Sequence, residues 1–465
     1  MANISSDKID PPKGWLGWLL FVAIGLLLAH LTGRLSPHFV NDSVSYLKYD
    51  FGSADSIARA IRTPGYPFWL WLFKSAIGID IVPAAQVIVH ATAAFCLFRE
   101  LTHWGLSRAN ALLVGVSVGI GCTAADNIST IAADALAASI GVFVIARLLC
   151  WARQGSSWQN ITLIVASVTA AIQVRPAYLF LIPWVFLAGT ILRAMTGPNQ
   201  RPLGETLRSA SFVASLCVIP LLGWMTFRHV AVSDFGVLPF GHQNLAAILV
   251  QLLDDEELQS LPKDSTAGKL GQAIVETKNR YDREFGFEPG EFGATMTIDS
   301  RWDEMTYFVV VPAAVEIAGD DTISYHHAIA DLNKAIVTNY PLRYLKWLAK
   351  SARRGAWSIA ANIVMHPVFL AGIALASALM LYRAVYGNFA SVALADSVAF
   401  RALTIVTFSY LIAKLGFVIL TTPAIGRFSD AAAILLPGWI GAFYLRWWFS
   451  TGKDLSDSIA TKPTS

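Results

Sequence analysis

The chain has 465 residues, of which 55% are hydrophobic and 14% charged, with a mean hydropathy of +0.52 and a formal net charge of +3. Soluble domains carry nearer ~25% charged residues, so this composition excludes an ordinary soluble protein and describes an integral membrane one. The small net charge, with no basic stripe interleaved with aromatics, argues against nucleic acid as a partner. The four cysteines, Cys96, Cys122, Cys150 and Cys217, lie in apolar segments without CxxC spacing. They read as small core residues, not as a disulfide or zinc framework.

The first apolar run, Trp15 to Leu31, follows Lys8 and Lys13. It imitates a secretion signal in outline, but it is long enough to span and lacks a clear small-residue cleavage site, so it reads as an uncleaved anchor. Further spans are expected at 81–98, 109–124, 132–150, 160–174, 177–194, 210–230, 363–382, 400–420 and 431–449, with the first at 14–33. That makes about ten crossings of roughly 20 residues each. With a cytoplasmic N-terminus, the short inner loops hold Arg99 and Arg108, Arg153, then Arg193, Arg201 and Arg208, then Arg383, with Arg446 and Lys453 after the last span. This obeys the positive-inside rule and puts both termini in the cytoplasm.

Two pieces too polar to cross fall on the opposite side, 34–80 and 231–362. The expected organisation is an N-terminal transmembrane module over 1–230 with its first outer loop at 34–80, an outer subdomain over 231–362, C-terminal transmembrane helices over 363–449 and a cytoplasmic tail over 450–465. In the outer subdomain, Asp254-Asp255-Glu256-Glu257 suits a helix N-terminus, and Leu270, Ile274, Val275, Lys278 and Tyr281 follow at helical spacing. Gly286, Pro289, Gly290 and Gly293 predict a loop. Pro341 to Trp357 sets Leu342, Leu345 and Leu348 against Lys346, Lys350, Arg353 and Arg354, the pattern of an interfacial helix.

Polar residues gather at the outer ends of the spans. If 42–49 is helical, Asp42, Tyr46 and Tyr49 share one face, where a carboxylate can present itself as a base. The plainer alternative makes Asp42 a helix cap, with Asn41 and Ser43 equally suited. Pro64-Gly65-Tyr66-Pro67 predicts a turn that holds Arg62 at a rigid corner, either as an interfacial snorkelling cation or as a fork for phosphate oxygens. Asp126, Thr130 and Asp134 predict one face of a helix at the next outer turn. An aspartate within the bilayer costs on the order of 2.5–3.5 kcal/mol on insertion scales, so these suggest a wet cavity or a cation, unless they are interfacial loop residues. Arg175 and Arg427 stand on outer edges where the charge rule disfavours arginine. Capture of an anionic ligand explains both, and neutralisation of Asp134 or Asp430 explains either alone. His242 opens the larger outer piece and, as a lone histidine, is more often structural than a ligand. No Walker, HExxH or GxSxG motif is present.

Asp42-x-x-x-Tyr46, Arg62-Thr63-Pro64-Gly65-Tyr66-Pro67, Ala133-Asp134-Ala135-Leu136 and Val174-Arg175-Pro176, in that order, resemble the GT-C membrane glycosyltransferases. The similarity is to the bacterial branch of protein O-mannosyltransferases and lipid A aminoarabinose transferases. It covers about the first 200 residues, and the remainder only through span order and Gly426-Arg427. Many relatives carry an Asp-Glu pair in the first loop, whereas Ser43 follows Asp42 here. The outer piece is also embedded in the chain, not C-terminal.

The resemblance implies an all-α polytopic membrane protein, a GT-C-like bundle in a bacterial cytoplasmic membrane with its active site facing the periplasm. It implies transfer of a sugar from a polyprenyl-phosphate donor to a hydroxyl of a lipid, glycan or protein acceptor. In that scheme Asp42 is the base and Asp134 its catalytic companion, while Arg62, Arg175 and Arg427 bind the donor phosphate. Tyr46, Tyr66, His242 and Asp126 are the expected substrate contacts. A divalent metal held with Asp134 is compatible, though no ligand spacing shows one, and no other cofactor is implied. The competing readings are a lipid-linked polysaccharide polymerase or ligase, and a lipid or solute transporter.

Overall fold

The computed structural model describes residues 14–196, 202–285, 295–386 and 397–446. The predicted loop at Gly286 to Gly293 and the predicted tail from 450 lie outside them. Among the described residues the architecture is all-α, joined by turns and short 3-10 segments, with one isolated parallel bridge between His38 and Thr130.

The chain enters through α1 (Gly14–Leu31) and passes through three short helices, α2 (Asn41–Leu47), α3 (Ala54–Arg59) and α4 (Gly65–Ala76). A bundle follows: α5 (Val82–His103), α6 (Arg108–Ile120), α7 (Cys122–Asn127), α8 (Ala133–Gln154), α9 (Trp158–Val174), α10 (Leu181–Ala194) and α11 (Leu203–Val232). Next come α12 (His242–Leu249), α13 (Asp255–Gln259), α14 (Thr266–Phe285), α15 (Thr295–Glu304), α16 (Val311–Ala318) and α17 (Thr322–Asn339). The chain then returns through α18 (Pro341–Met365), α19 (Pro367–Tyr386), α20 (Val398–Ile419) and α21 (Gly426–Ser429), and residues 436–446 are helical.

Seven helical segments among the described residues are long and apolar enough to cross a membrane, eight if α18 and α19 count as one span. This is fewer than the ten expected. α9 is apolar but only 17 residues long, and only the 436–446 part of the last expected span is described as helix. The α18–α19 pair bends by 84° beside Pro367, which has no N–H to continue the helical ladder.

α8 sits at the centre. Ala133, Ala135, Ala137, Ala138 and Gly141 leave room for its neighbours, and Leu148, Leu149 and Trp151 complete the packing against α5, α9 and α10. Lipid tails are as apolar as these side chains, so close packing by small residues, not exclusion of water, favours helix on helix. A second apolar core, containing Ile248, Leu270, Ile274, Val309, Val310 and Leu332, joins α12 to α17. There Asp254 caps α13 and its carboxylate accepts from the Glu257 N–H at 2.8 Å, while Glu257 pairs with Arg343 of α18.

The two ends of the bundle carry different chemistry. At one end Arg153 meets Glu100 at 3.0 Å and Thr196 donates to the Ala152 carbonyl. The other end gathers α2 to α4, the α7–α8 turn, the end of α9 and the end of α20.

Candidate functional site

The segment between α1 and α4 is stitched onto the start of α8. The His38 N–H donates to the Ser129 carbonyl at 2.9 Å, and the Ile131 N–H donates to the His38 carbonyl at 2.8 Å. Ser43 Oγ donates to the Ile131 carbonyl at 2.8 Å and accepts from the Val40 N–H at 2.9 Å, so Ser43 serves the start of α2 and Asp42 is left to point elsewhere. Its carboxylate meets Arg62 Nη2 at 2.9 Å. Arg62 Nε also donates to Ser45 Oγ at 2.9 Å, and its guanidinium lies 4.7 Å from the Tyr46 ring centre and 5.2 Å from that of Phe240.

A second ion pair, Asp134 with Arg175, joins the first turn of α8 to the residue after α9. The Arg175 guanidinium stands 5.2 Å from the ring of Phe428 on α21. Its position depends on Gly65. A Cβ there would lie 2.5 Å from the Gln173 carbonyl carbon and oxygen, so only glycine lets α4 rest on the end of α9. Tyr66, fully buried, then packs edge-on to Tyr46 at 5.0 Å and donates to Gln86 Oε1 at 3.4 Å.

Tyr46 is where the two pairs converge. Burial raises its phenol above the ordinary value, Arg62 and Arg175 pull it down, and Asp134 and Asp42 push it up again. Burial likewise holds the Tyr66 phenol well above its usual range, with Tyr46 and Asp134 adding to the effect. Both phenols stay protonated at neutral pH and can donate a hydrogen bond. The pairs are only part-buried, with side-chain exposures of 17% for Arg62 and 26% for Asp42, against 17% for Arg175 and 10% for Asp134. The site therefore offers two carboxylates, two guanidiniums and two phenols at one end of the bundle, open enough for a ligand to reach.

Several predicted placements are corrected. Tyr49 lies beyond the end of α2, its hydroxyl donating to the Ile57 carbonyl at 3.3 Å, so it does not share a face with Asp42 and Tyr46. Pro64-Gly65-Tyr66-Pro67 starts a helix, because a proline in the first turn has no N–H bond to lose. Asp126 and Asp134 do not share a helix face: α7 ends at Asn127, and Thr130 forms the bridge with His38. Asp126 is exposed. His242 stacks on His326 at 4.5 Å, with no contact to either ion pair. The Arg427 backbone lies in α21, and its side chain falls outside the described structure. A metal held with Asp134 does not fit the donor set, since its carboxylate faces Arg175 and, among the described residues, no group of three or more His, Cys, Asp or Glu could hold an ion.

Some functional candidates went unread in the sequence. Lys414, 3% exposed, lies in α20 and donates to the Ala177 carbonyl at 3.1 Å. A lone lysine within the apolar 400–420 run was the available signal. Phe240 and Phe428, which face the arginines, gave none. Asp430 is bonded by Asn362, and burial pushes its carboxyl up to about 6. A nearly wholly apolar cavity of about 540 Å³ lies between α6, α19 and 436–446, lined by Leu113, Val116, Phe369, Leu375 and Ile440 among others. Beside it a smaller cavity shares Ile363, Phe369 and Pro437 and reaches Asn362 and Asp430.

No family model and no curated protein matches the sequence. Among solved structures, the crystal structure of ArnT from Cupriavidus metallidurans bound to undecaprenyl phosphate matches over 98% of this chain and 82% of that one, at 13% identity and a TM-score of 0.37. At so low a similarity, the functional reading rests on the site itself.

Proposed function

We propose that the protein is a membrane glycosyltransferase of the GT-C type, moving a sugar from a polyprenyl-phosphate donor to an acceptor hydroxyl at the outer face of a bacterial cytoplasmic membrane. The observation that carries the reading is the convergence of the Asp42–Arg62 and Asp134–Arg175 pairs on Tyr46. Such a transfer needs a base for the acceptor proton and positive charge for the departing lipid phosphate. Asp42, the more exposed carboxylate, is the base, a role worth ~10² to 10⁴ in rate. Arg62 and Arg175 stabilise the charge that develops on the leaving phosphate.

The geometry supports an order of events. In the free site Arg62 holds Asp42 in an ion pair. An arriving phosphate competes for Arg62, and the released Asp42 carboxylate takes the acceptor proton as the acceptor oxygen attacks the sugar carbon. The carbon–phosphate oxygen bond breaks on the opposite side, the lipid phosphate leaves with the bonding electrons, and the sugar configuration inverts. The buried Tyr46 ring lies against Arg62, and Tyr66, its hydroxyl engaged by Gln86, packs behind it. The apolar cavity is suited to a lipid tail, since α21 carries both Phe428, against Arg175, and the turn to Asp430 at the cavity's polar end. The gathering of these groups at one end, not along the membrane mid-plane, favours chemistry over transport.

The residues from 231 to 362 form the outer, periplasmic subdomain in this reading, with both termini cytoplasmic. The test is transfer of labelled sugar from synthetic polyprenyl-phosphate donors to membrane extracts by the purified protein. Asp42→Asn should abolish transfer while inserting and folding normally, and near wild-type turnover in that variant would remove Asp42 as base. Preference for a diphosphate-linked oligosaccharide donor over a monophosphate-linked sugar would replace the reading with that of a polymerase or ligase.

A further inference from the structure

Lys414 is a buried lysine in the last third of the apolar helix α20, and such an ionisable group is rarely kept in a membrane span without a use. It has no carboxylate within ion-pair distance among the described residues. Its Nζ donates to the Ala177 carbonyl at 3.1 Å and sits 3.8 Å from the Tyr178 ring centre and 5.3 Å from that of Phe180. Ala177 and Tyr178 belong to the 3-10 turn Pro176–Tyr178, which immediately follows Arg175. Lys414 is also close enough to Arg175 and Asp134 to interact with both electrostatically. A residue from α20 thus fixes the turn that aims the Arg175 guanidinium. Lys414 stands behind the Asp134–Arg175 pair, on the side away from Asp42 and Arg62, as a further basic group among the described residues.

We propose that Lys414 is a positioning residue for phosphate-monoester binding: it holds the turn that aims the Arg175 guanidinium at an anionic headgroup and places a basic group behind it. The inference rests on the reading of the ion-pair site as a lipid-phosphate site. A lysine kept only for structure would stabilise the empty protein. A buried ammonium without a carboxylate does the reverse, since an apolar side chain of similar length avoids its desolvation cost.

The experiment compares wild type, Lys414→Met and Lys414→Arg in detergent, measuring thermal stability alone and with dodecyl phosphate, inorganic phosphate or dodecanol. The expected result is that Lys414→Met melts no lower than wild type without ligand and binds dodecyl phosphate about tenfold or more weakly, the loss of one charge-assisted interaction. Lys414→Arg, which keeps the charge, should retain most of the affinity. Dodecanol should bind wild type and Lys414→Met alike. Stabilisation by dodecyl phosphate but not inorganic phosphate identifies a lipid headgroup as the ligand, and equal stabilisation by both identifies free phosphate. Unchanged dodecyl phosphate affinity in Lys414→Met, or a lower melting temperature in the absence of ligand, would overturn the proposal. Loss of phosphate binding in a protein that transfers no sugar from any lipid-linked donor would leave this inference standing and remove the transferase reading. A transferase unaffected by Lys414→Met would do the opposite.

Discussion

Arg228 and Arg175 each face an aspartate, the first fully buried and the second part-buried, and they use their donors differently. Arg228, with a fully buried side chain on α11, gives Nε to the Ala58 carbonyl at 2.9 Å, Nη1 to the Gly236 carbonyl at 2.7 Å and Nη2 to Asp234 at 2.6 Å. Asp234 in turn meets His327 of α17 at 3.2 Å, and Arg59 of α3 meets Asp321, the cap of α17, at 2.9 Å. This is a latch that ties α3 to the helices beyond α11, and every edge of its guanidinium is spent on protein. Among the described residues Arg175 has Asp134 and an aromatic ring, with donors left over for a ligand. An arginine that is saturated holds structure, and one that is not can bind.

The largest expected effect breaks the latch. Arg228→Met leaves buried Asp234 with only the exposed His327 beside it and should cost about 3–5 kcal/mol of stability. Turnover per folded molecule should persist, and adding Asp234→Leu should recover much of the loss. Thermal denaturation with parallel activity assays checks this, and a specific loss of turnover would blur the distinction drawn here. The converse variant, Arg175→Met, should lower transfer by roughly 10² to 10³, the usual result of removing one donor to a developing anion. An equal loss from a distant surface arginine would deny Arg175 any special place.

A smaller effect tests the packing that aims Arg175. Gly65→Ala forces α4 off the end of α9 and should cost about 1–3 kcal/mol, as overpacking usually does, together with activity. Smallest is a pH effect in the helices beyond α11. Asp299 of α15 lies beside Arg354 at 3.8 Å, but burial prevails and pushes its carboxyl up to about 6 from an ordinary 3.8. The native state then holds the proton more tightly than the unfolded one. Its stabilising contribution is full below about pH 4 and is lost as pH rises through about 6, a change on the order of 1–2 kcal/mol. Asp299→Asn should flatten that slope in denaturant titrations across pH, leaving the pH profile of transfer unchanged.

Much of the site was legible because intramembrane and interfacial charge is conspicuous in an apolar chain. Asp42, Arg62, Asp134 and Arg175 stand out at the ends of their spans, and the structure brings them together as two pairs. Tyr49 and Asp126 were misplaced because helical spacing was carried past points where the chain breaks, after Leu47 and after Asn127. The turn predicted at Pro64 to Pro67 failed for a related reason: prolines mark a helix start as readily as a bend. His242 has a role in aromatic stacking with a residue far along the chain, which no local pattern reveals.

The sequence by itself determined that this is an all-α membrane protein and which spans carry polar ends, since apolar run length and the cost of burying charge are local properties of the chain. Only tertiary structure decided which acid meets which base, which arginine is saturated, and that Lys414 stands behind the Arg175 turn. Those choices depend on contacts between residues far apart in the chain, such as Lys414 with Ala177 and Arg228 with Ala58, and on the close approach that Gly65 permits.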